Sequence, residues 1–339
     1  MLFTLQALCL KSKKMKNILN KIISYQKLSY NEAKEIIEHI NKGQFNDYQL
    51  VAIMTSLQMR SLDIEELRGF QDALLELAKP VDLSEFDGID LCGTGGDSKN
   101  TFNISTTSSL VLASMGYKVI KHGNYGVSSI CGSSNVLEYL GFSFKEDSDL
   151  LKKDLEKTNI CFLHAPLFHP TLLKVSHLRK QLGIRTFFNS IGPLVNPAKP
   201  SFQLTGTFSL ELAKIYPHLL KDKRKNFSVI YGLDGYDELT LTENTKIIGK
   251  KEDSVINSDT FQVKKVKPEE IFGGESIEDS AKILLNILKG KGTDAQNSVI
   301  AANVATAIKC INPKENLNSL YKNSLDQILS GKSATFFKL

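Results

Sequence analysis

No stretch of this sequence approaches the roughly 18 consecutive apolar residues that a membrane-crossing helix needs, which argues against a helical membrane protein. There is no internal repeat and no low-complexity tract. Charge of neither sign dominates: 42 Lys and Arg stand against 37 Asp and Glu, and the net +5 is spread along the chain. That is a weak bias toward anionic ligands, with no basic tract dense enough to argue for nucleic acid. Cysteine is scarce. The five, Cys9, Cys92, Cys131, Cys161 and Cys310, lie far apart and are odd in number, the pattern of reduced, mostly buried thiols in a cytoplasmic protein rather than of a disulfide framework. What is present, 339 residues with 42% hydrophobic and 23% charged, suits about two globular domains.

The first fourteen residues differ from the rest. Leu2 to Leu10 is apolar but too short to span a membrane, its positive charges follow the apolar run, and no small-residue cleavage site appears. The expected reading is an extension from an upstream start codon, with Met15 as the functional start. From Met15 to Pro80 the pattern is helical. Ser29 with Glu32 forms a capping box ahead of Ala33, Ile36, Ile37 and Ile40, Asn46 opens a second helix, and Asp63 with Glu66 opens a third. So few residues make a shallow core, so this bundle is expected to pack on the rest of the chain or on a second subunit.

Beyond Val81 short apolar runs alternate with helical or loop segments: Ile89 to Cys92, Lys118 to Lys121, Gly141 to Phe144, Ile160 to His164, Phe202 to Thr207 and Phe227 to Tyr231. Such alternation predicts an α/β fold with a mostly parallel central sheet, whose ligands bind at the carboxyl ends of the strands. Leu239 to Val263 reads as added antiparallel strands, and helices are expected over Ser276 to Lys289, Asp294 to Cys310 and Leu317 to Ser330.

The chemistry is concentrated after those strands. Asp90 to Thr106, D-L-C-G-T-G-G-D-S-K-N-T-F-N-I-S-T, packs three glycines into four positions and then small polar side chains. Glycine admits φ > 0 and lets consecutive N–H groups turn onto an anion, and the helix expected from Asn103, Ser105 and Thr106 offers a positive dipole end. Neither the Walker spacing nor a dinucleotide fingerprint fits: position 98, where a third glycine would fall, holds Ser98. A second glycine and hydroxyl loop, Lys121-His122-Gly123-Asn124-Tyr125-Gly126-Val127-Ser128-Ser129, follows the next strand, and Gly132-Ser133-Ser134 opens a helix. Taken singly, each also fits an ordinary loop and N-cap. Arg179 presents a fork suited to a planar carboxylate, or to a surface ion pair. Asp237 and Glu238, after the strand Phe227 to Tyr231, suit hydrated Mg²⁺, which needs one or two carboxylates plus substrate phosphates, or else form a solvated acidic turn.

In this order G-T-G-G-D, T-F-N-I-S-T, K-H-G-N, V-S-S, G-S, H-P, L-G-I-R-T, N-P and D-G-Y-D-E resemble the anthranilate phosphoribosyltransferase family of tryptophan biosynthesis, within the nucleoside phosphorylase/phosphoribosyltransferase fold. The likeness runs from about Met15 to the C terminus. It implies a helical domain over 15–86, completed by about 171–197 and hinged to an α/β domain over 87–339. It also implies a cytoplasmic homodimer contacting through the helical parts, and association with anthranilate synthase. By the same resemblance phosphoribosyl pyrophosphate would be held by Gly93, Gly96, Asp97, Thr101, Asn103, Ile104, Ser105, Thr106, Lys121, His122, Gly123, Asn124, Tyr125, Gly126, Val127, Ser128, Ser129 and Ser133. Lys121, His122 and Asn124 would position it. Ser105, Asp237 and Glu238 would serve Mg²⁺, two ions per subunit, while Gly93, Asn124 and Arg179 would hold anthranilate.

Three positions depart from the pattern: Ser98 for Gly, Tyr125 for Arg and Asn135 for Asp. The implied reaction joins the anthranilate amine to C1 of the ribose with loss of pyrophosphate. No strong base is required, because an aniline amine is already neutral at pH 7. The rival readings are a pyrimidine nucleoside phosphorylase, against which Arg179 and the acidic pair speak, and a non-catalytic paralogue binding nucleic acid, which would show a basic stripe.

Overall fold

A computed structural model describes residues 16–126 and 130–337. The expected extension over 1–14 lies outside the described residues, as do Val127, Ser128 and Ser129. The chain divides into two compact units, one running to Ala78 and taking in His169–Ile191, the other formed by Lys79–Phe168 and Gly192–Leu339.

The helical unit is built on caps. α1 covers 16–23. α2, Tyr30–Asn41, α3, Asp47–Gln58, and α4, Ile64–Glu76, each start from a capping box, Ser29 with Glu32, Asn46 with Gln49 and Asp63 with Glu66. In each, side chains satisfy N–H groups that the first helical turn leaves without partners. The apolar stripes Ile36, Ile37, Ile40 and Leu67, Phe70, Leu74 are buried to near completion. α2 and α4 are packed tightly enough that a Cβ at Gly69 would sit 2.3 Å from the Tyr30 carbonyl.

The α/β unit carries a seven-stranded sheet: β1, Ile89–Gly93, β2, Val119–Gly123, β3, Ile160–His164, β4, Phe202–Gly206, β5, Asn226–Gly232, β6, Thr245–Gly249, and β7, Asp253–Ile256. Their order is β3-β2-β1-β4-β5-β6-β7. β1 to β5 pair in parallel, and β6 and β7 add to the edge antiparallel. α5, Ile104–Ser114, crosses from β1 to β2; α6, Ser133–Tyr139, and α7, Ser148–Thr158, lead to β3, which is followed by the single turn α8, Ala165–Phe168. α9, Pro170–Leu182, belongs to the helical unit, and α10, Leu210–Leu220, crosses from β4 to β5. α11, Ile277–Leu288, α12, Asp294–Ile311, and α13, Leu317–Leu329, complete the chain. α12 is buried along most of its length, its Ala301, Ala302, Ala305 and Ala307 letting neighbours approach.

One expectation needs correction. Gly141–Phe144 is no strand: Gly141 turns at φ +84, and the alternating Phe142 and Phe144 meet Phe162 edge-on and stack on His164 without any ladder. The helical unit ends at Ala78: Val81 and Leu83 share an apolar cluster with Ile120, Leu151 and Leu163, and Gly192 onward lies with the sheet. Cys92, Cys161 and Cys310 are buried free thiols and Cys131 is half-buried, while Cys9 lies outside the described residues.

Candidate active site

Strand order reverses between β1 and β4, since the chain adds β2 and β3 on one side of β1 and later β4 and β5 on the other. At such a switch point the loops diverge and leave a crevice beyond the strand ends. Gly93 and Gly206 are the paired last residues of β1 and β4. Both are glycine for a reason of space. A Cβ on Gly93 would lie 2.5 Å from Asp237 Oδ2, and one on Gly206 would meet the Asp237 carbonyl. The loop after β5 therefore drops Asp237 onto two strand ends that carry no side chain.

The glycine-rich loop closes over the same corner. Gly95 and Gly96 take φ +62 and +74. The Gly95 N–H donates to Asp237 Oδ2 at 2.6 Å, and the Asp237 N–H lies 3.5 Å from Asp97 Oδ2. Thr101 bridges to Phe272, Asn103 stands at the N-cap position of α5 with its side chain donating instead through Nδ2 to the Cys131 carbonyl, and Ile104 and Thr106 are buried. Ser98 sits at φ +61, the left-handed region that suits the glycine expected there.

Burial and crowding of acids set the electrostatics. Desolvation first, then Glu238 and Asp97, push the Asp237 carboxyl well above the usual aspartate range. Glu238 rises to about 7, by burial of its carboxyl first, although Lys121 and the Ser105 hydroxyl and N–H oppose the rise. Asp97 is also raised, again chiefly by burial. Burial and mutual repulsion favour the protonated forms of these acids, and a cation would relieve them. Among the described residues no group of three or more His, Cys, Asp or Glu side chains is arranged to hold a metal ion. Mg²⁺ keeps several waters and takes only one or two protein carboxylates, so Asp237, Glu238 and the Ser105 hydroxyl fit its needs.

Lys121 is more deeply placed than a surface phosphate ligand would be. Only 2% exposed, it donates from Nζ to the Leu91 carbonyl at 2.5 Å and lies 3.5 Å from Ser105 Oγ. Beneath it is a network that sequence reasoning missed. The buried Asp90 accepts from the His122 N–H and from Asn196 Nδ2, and burial raises its carboxyl despite Lys121. A charged residue inside an otherwise apolar strand was the available signal.

The second loop is held against α6. The Asn124 carbonyl accepts from the Ser134 N–H at 3.2 Å and the Ser133 hydroxyl at 3.3 Å. Asn135 Oδ1 accepts from the N–H groups of Gly126 and Gly132 at 2.9 and 3.0 Å. Both bonds use only a carbonyl acceptor, so Asn serves where the resemblance leads to Asp. Gly123 ends β2 beside Ser133, whose Oγ would be 2.4 Å from an added Cβ.

In the helical unit, Arg179 on α9 is 8% exposed. It donates to Asn189 Oδ1 at 3.3 Å and lies 5.7 Å from the Phe188 ring, while its Nε has no partner. Burial alone lowers its guanidinium to about 10. No acid among the described residues pairs with it, so a charge-assisted site for an anion is left open.

A helical bundle and an α/β unit with acids and glycine loops at a parallel-sheet switch point define a glycosyl transferase. Residues 16–78 match the helical bundle domain of the glycosyl transferase family, and residues 85–334 match its a/b domain. The chain is 51% identical over 327 residues to an anthranilate phosphoribosyltransferase of Christiangramia forsetii, covering 96% of this chain and 98% of that protein. Among solved structures, the Thermus thermophilus anthranilate phosphoribosyltransferase superposes with a TM-score of 0.85 at 27% identity, covering 95% of this chain and 97% of that one. The Saccharomyces cerevisiae enzyme in complex with PRPP and Mg gives 0.85 at 26%, covering 96% of each. This chain belongs to the anthranilate phosphoribosyltransferase family.

Proposed function

We propose that this enzyme transfers the phosphoribosyl group of 5-phosphoribosyl 1-pyrophosphate to the amine of anthranilate, releasing pyrophosphate, with Asp237, Glu238 and Ser105 as the Mg²⁺ residues. The observation that supports this assignment is the acidic corner where Asp237 lies on Gly93 and Gly206 beside Glu238, with burial first and neighbouring acids next raising both carboxyls. When bound, Mg²⁺, taken as two ions per subunit, supplies positive charge to the leaving pyrophosphate. The turn Gly93–Asp97 with Thr101 and Asn103–Thr106, and the turn Lys121–Gly126 with Val127, Ser128, Ser129 and Ser133, bind the donor's phosphates and ribose. The reaction develops positive charge at the sugar and negative charge on the leaving group, so donors fixed beforehand stabilise it without reorganising.

Arg179 takes the carboxylate of anthranilate, and Gly93 and Asn124 are the other residues that the resemblance assigns to this substrate. Holding the neutral amine toward C1 supplies the rest, since orientation replaces base catalysis. The protein works as a cytoplasmic homodimer joined through its helical parts, and associates with anthranilate synthase. The direct test follows anthranilate fluorescence with purified protein. It should fall only when phosphoribosyl pyrophosphate and Mg²⁺ are both present; a fall without the donor, or none with both, overturns the proposal.

A further inference from the structure

At position 125 the resemblance leads to an arginine, which would meet phosphate as a cation. The tyrosine present is turned elsewhere. Its hydroxyl donates to Glu138 Oε1 on α6 at 2.7 Å, and its ring meets the His164 ring edge-on with centroids 4.7 Å apart. His164 is itself fixed, stacked on Phe144 at 4.5 Å with Nδ1 2.8 Å from the Ser134 hydroxyl. The neighbours of Tyr125 in the turn are tied to the same helix: the Asn124 carbonyl to Ser133 and Ser134, the Gly126 N–H to Asn135. The fit is close, for a Cβ on Gly132 would lie 2.2 Å from the Gly126 nitrogen and 2.6 Å from the Tyr125 carbonyl carbon. Lys99, the nearest other cation in sequence, lies with Nζ 4.8 Å over the Tyr236 ring.

We propose that Tyr125 is a positioning residue that acts through Glu138 and His164, pinning the Asn124–Gly126 turn to α6, where a phosphate-binding cation would otherwise stand. The inference rests on the assignment of this turn to phosphoribosyl pyrophosphate. In this chain the turn is organised before the substrate arrives, and the donor loses one charge contact in exchange for a rigid Asn124. Glu138 is exposed, and its side chain bonds the Tyr125 hydroxyl rather than any residue assigned to Mg²⁺ or anthranilate, so Glu138→Gln separates the loss of its charge from the loss of that bond.

The test compares Tyr125→Phe, Glu138→Ala, Glu138→Gln and the Tyr125→Phe/Glu138→Ala double variant. Each is read by amide exchange of the turn in the ligand-free protein and by steady-state kinetics. Tyr125→Phe and Glu138→Ala should each speed exchange over Asn124–Gly126 and raise KM for phosphoribosyl pyrophosphate about fivefold with kcat little changed, the scale of one net hydrogen bond. The double variant should be no worse than either single one, and Glu138→Gln, which keeps an acceptor, should restore both readings. A raised KM in Tyr125→Phe beside an unchanged Glu138→Ala would put the phenol on the substrate and overturn the proposal. Unchanged exchange in both would do the same. Faster exchange with KM unmoved would also overturn the proposal, showing that order in the turn does not set donor binding; failure of the functional assignment reads differently, as no turnover of phosphoribosyl pyrophosphate by the unaltered protein.

Discussion

Two buried carboxylates, Glu66 in the helical unit and Asp237 in the α/β unit, are surrounded in opposite ways. Glu66, fully covered, accepts from the N–H groups of Leu28 and Asp63, both at 2.8 Å, and from both Nη atoms of Arg60. Every lone pair has a donor and the charge has a counter-ion. Asp237 has the Gly95 N–H, a long approach from the Thr94 hydroxyl, and two further acids nearby. The first arrangement holds three chain segments together. The second keeps charge in a state that folding alone does not stabilise, as is expected of a site completed by a ligand.

The contrast can be broken from either side. Arg60→Ala would leave Glu66 charged and unpaired in the core, and should cost about 3 kcal/mol or more of unfolding free energy. Denaturant titration checks this, and a loss under about 1 kcal/mol would mean that the two N–H donors suffice. Replacing Asp237 and Glu238 together by Ala should do the reverse: the melting temperature holds or rises, while turnover drops about a hundredfold or more, as for loss of an electrostatic group from a preorganised site. Wild-type turnover at ordinary Mg²⁺ would remove both from the mechanism.

Arg179 belongs on the functional side of the same divide, being buried without an acid. Arg179→Ala should weaken anthranilate by about 1.5 to 3 kcal/mol and leave phosphoribosyl pyrophosphate nearly unaffected, as calorimetry with each substrate can show. The opposite pattern would redistribute the substrates between the sites.

Much of this was legible in the sequence, for physical reasons that differ by region. Helix starts were readable because Ser29, Asn46 and Asp63 cap them locally, and the strand series because apolar runs bounded by glycine leave little else to form. Phe142 and Phe144 misled because alternation reports which side chains turn toward the core, and here an unpaired segment half-buries them. The glycine loops and the acidic pair were visible. The fit of Asp237 onto Gly93 and Gly206 was not, since it joins two strand ends and a loop that lie far apart in the sequence. Nor was Tyr125 bound to Glu138, thirteen positions along the chain.

The smallest effects refine the picture. An acid with a raised folded pKa stabilises the fold below its unfolded value and loses that contribution as pH rises through the folded one. Glu238, raised from 4.5 to about 7, should therefore make the metal-free protein progressively less stable across that interval. Glu238→Gln should melt above the wild type in mild alkali, with the gap closing toward acid; a constant gap would remove the titration from the account. Ser98→Gly should relieve the left-handed serine at φ +61 and stabilise by at most about 1 kcal/mol.

Glu238, its carboxyl raised to about 7 chiefly by burial, is the acid from which a bound cation would displace a proton. Calorimetry of Mg²⁺ and phosphoribosyl pyrophosphate binding at about pH 6.5, in buffers of different ionisation heat, counts the protons released. The wild type should release more than Glu238→Gln, by a difference approaching one proton per subunit. Equal release from the two proteins would contradict the account.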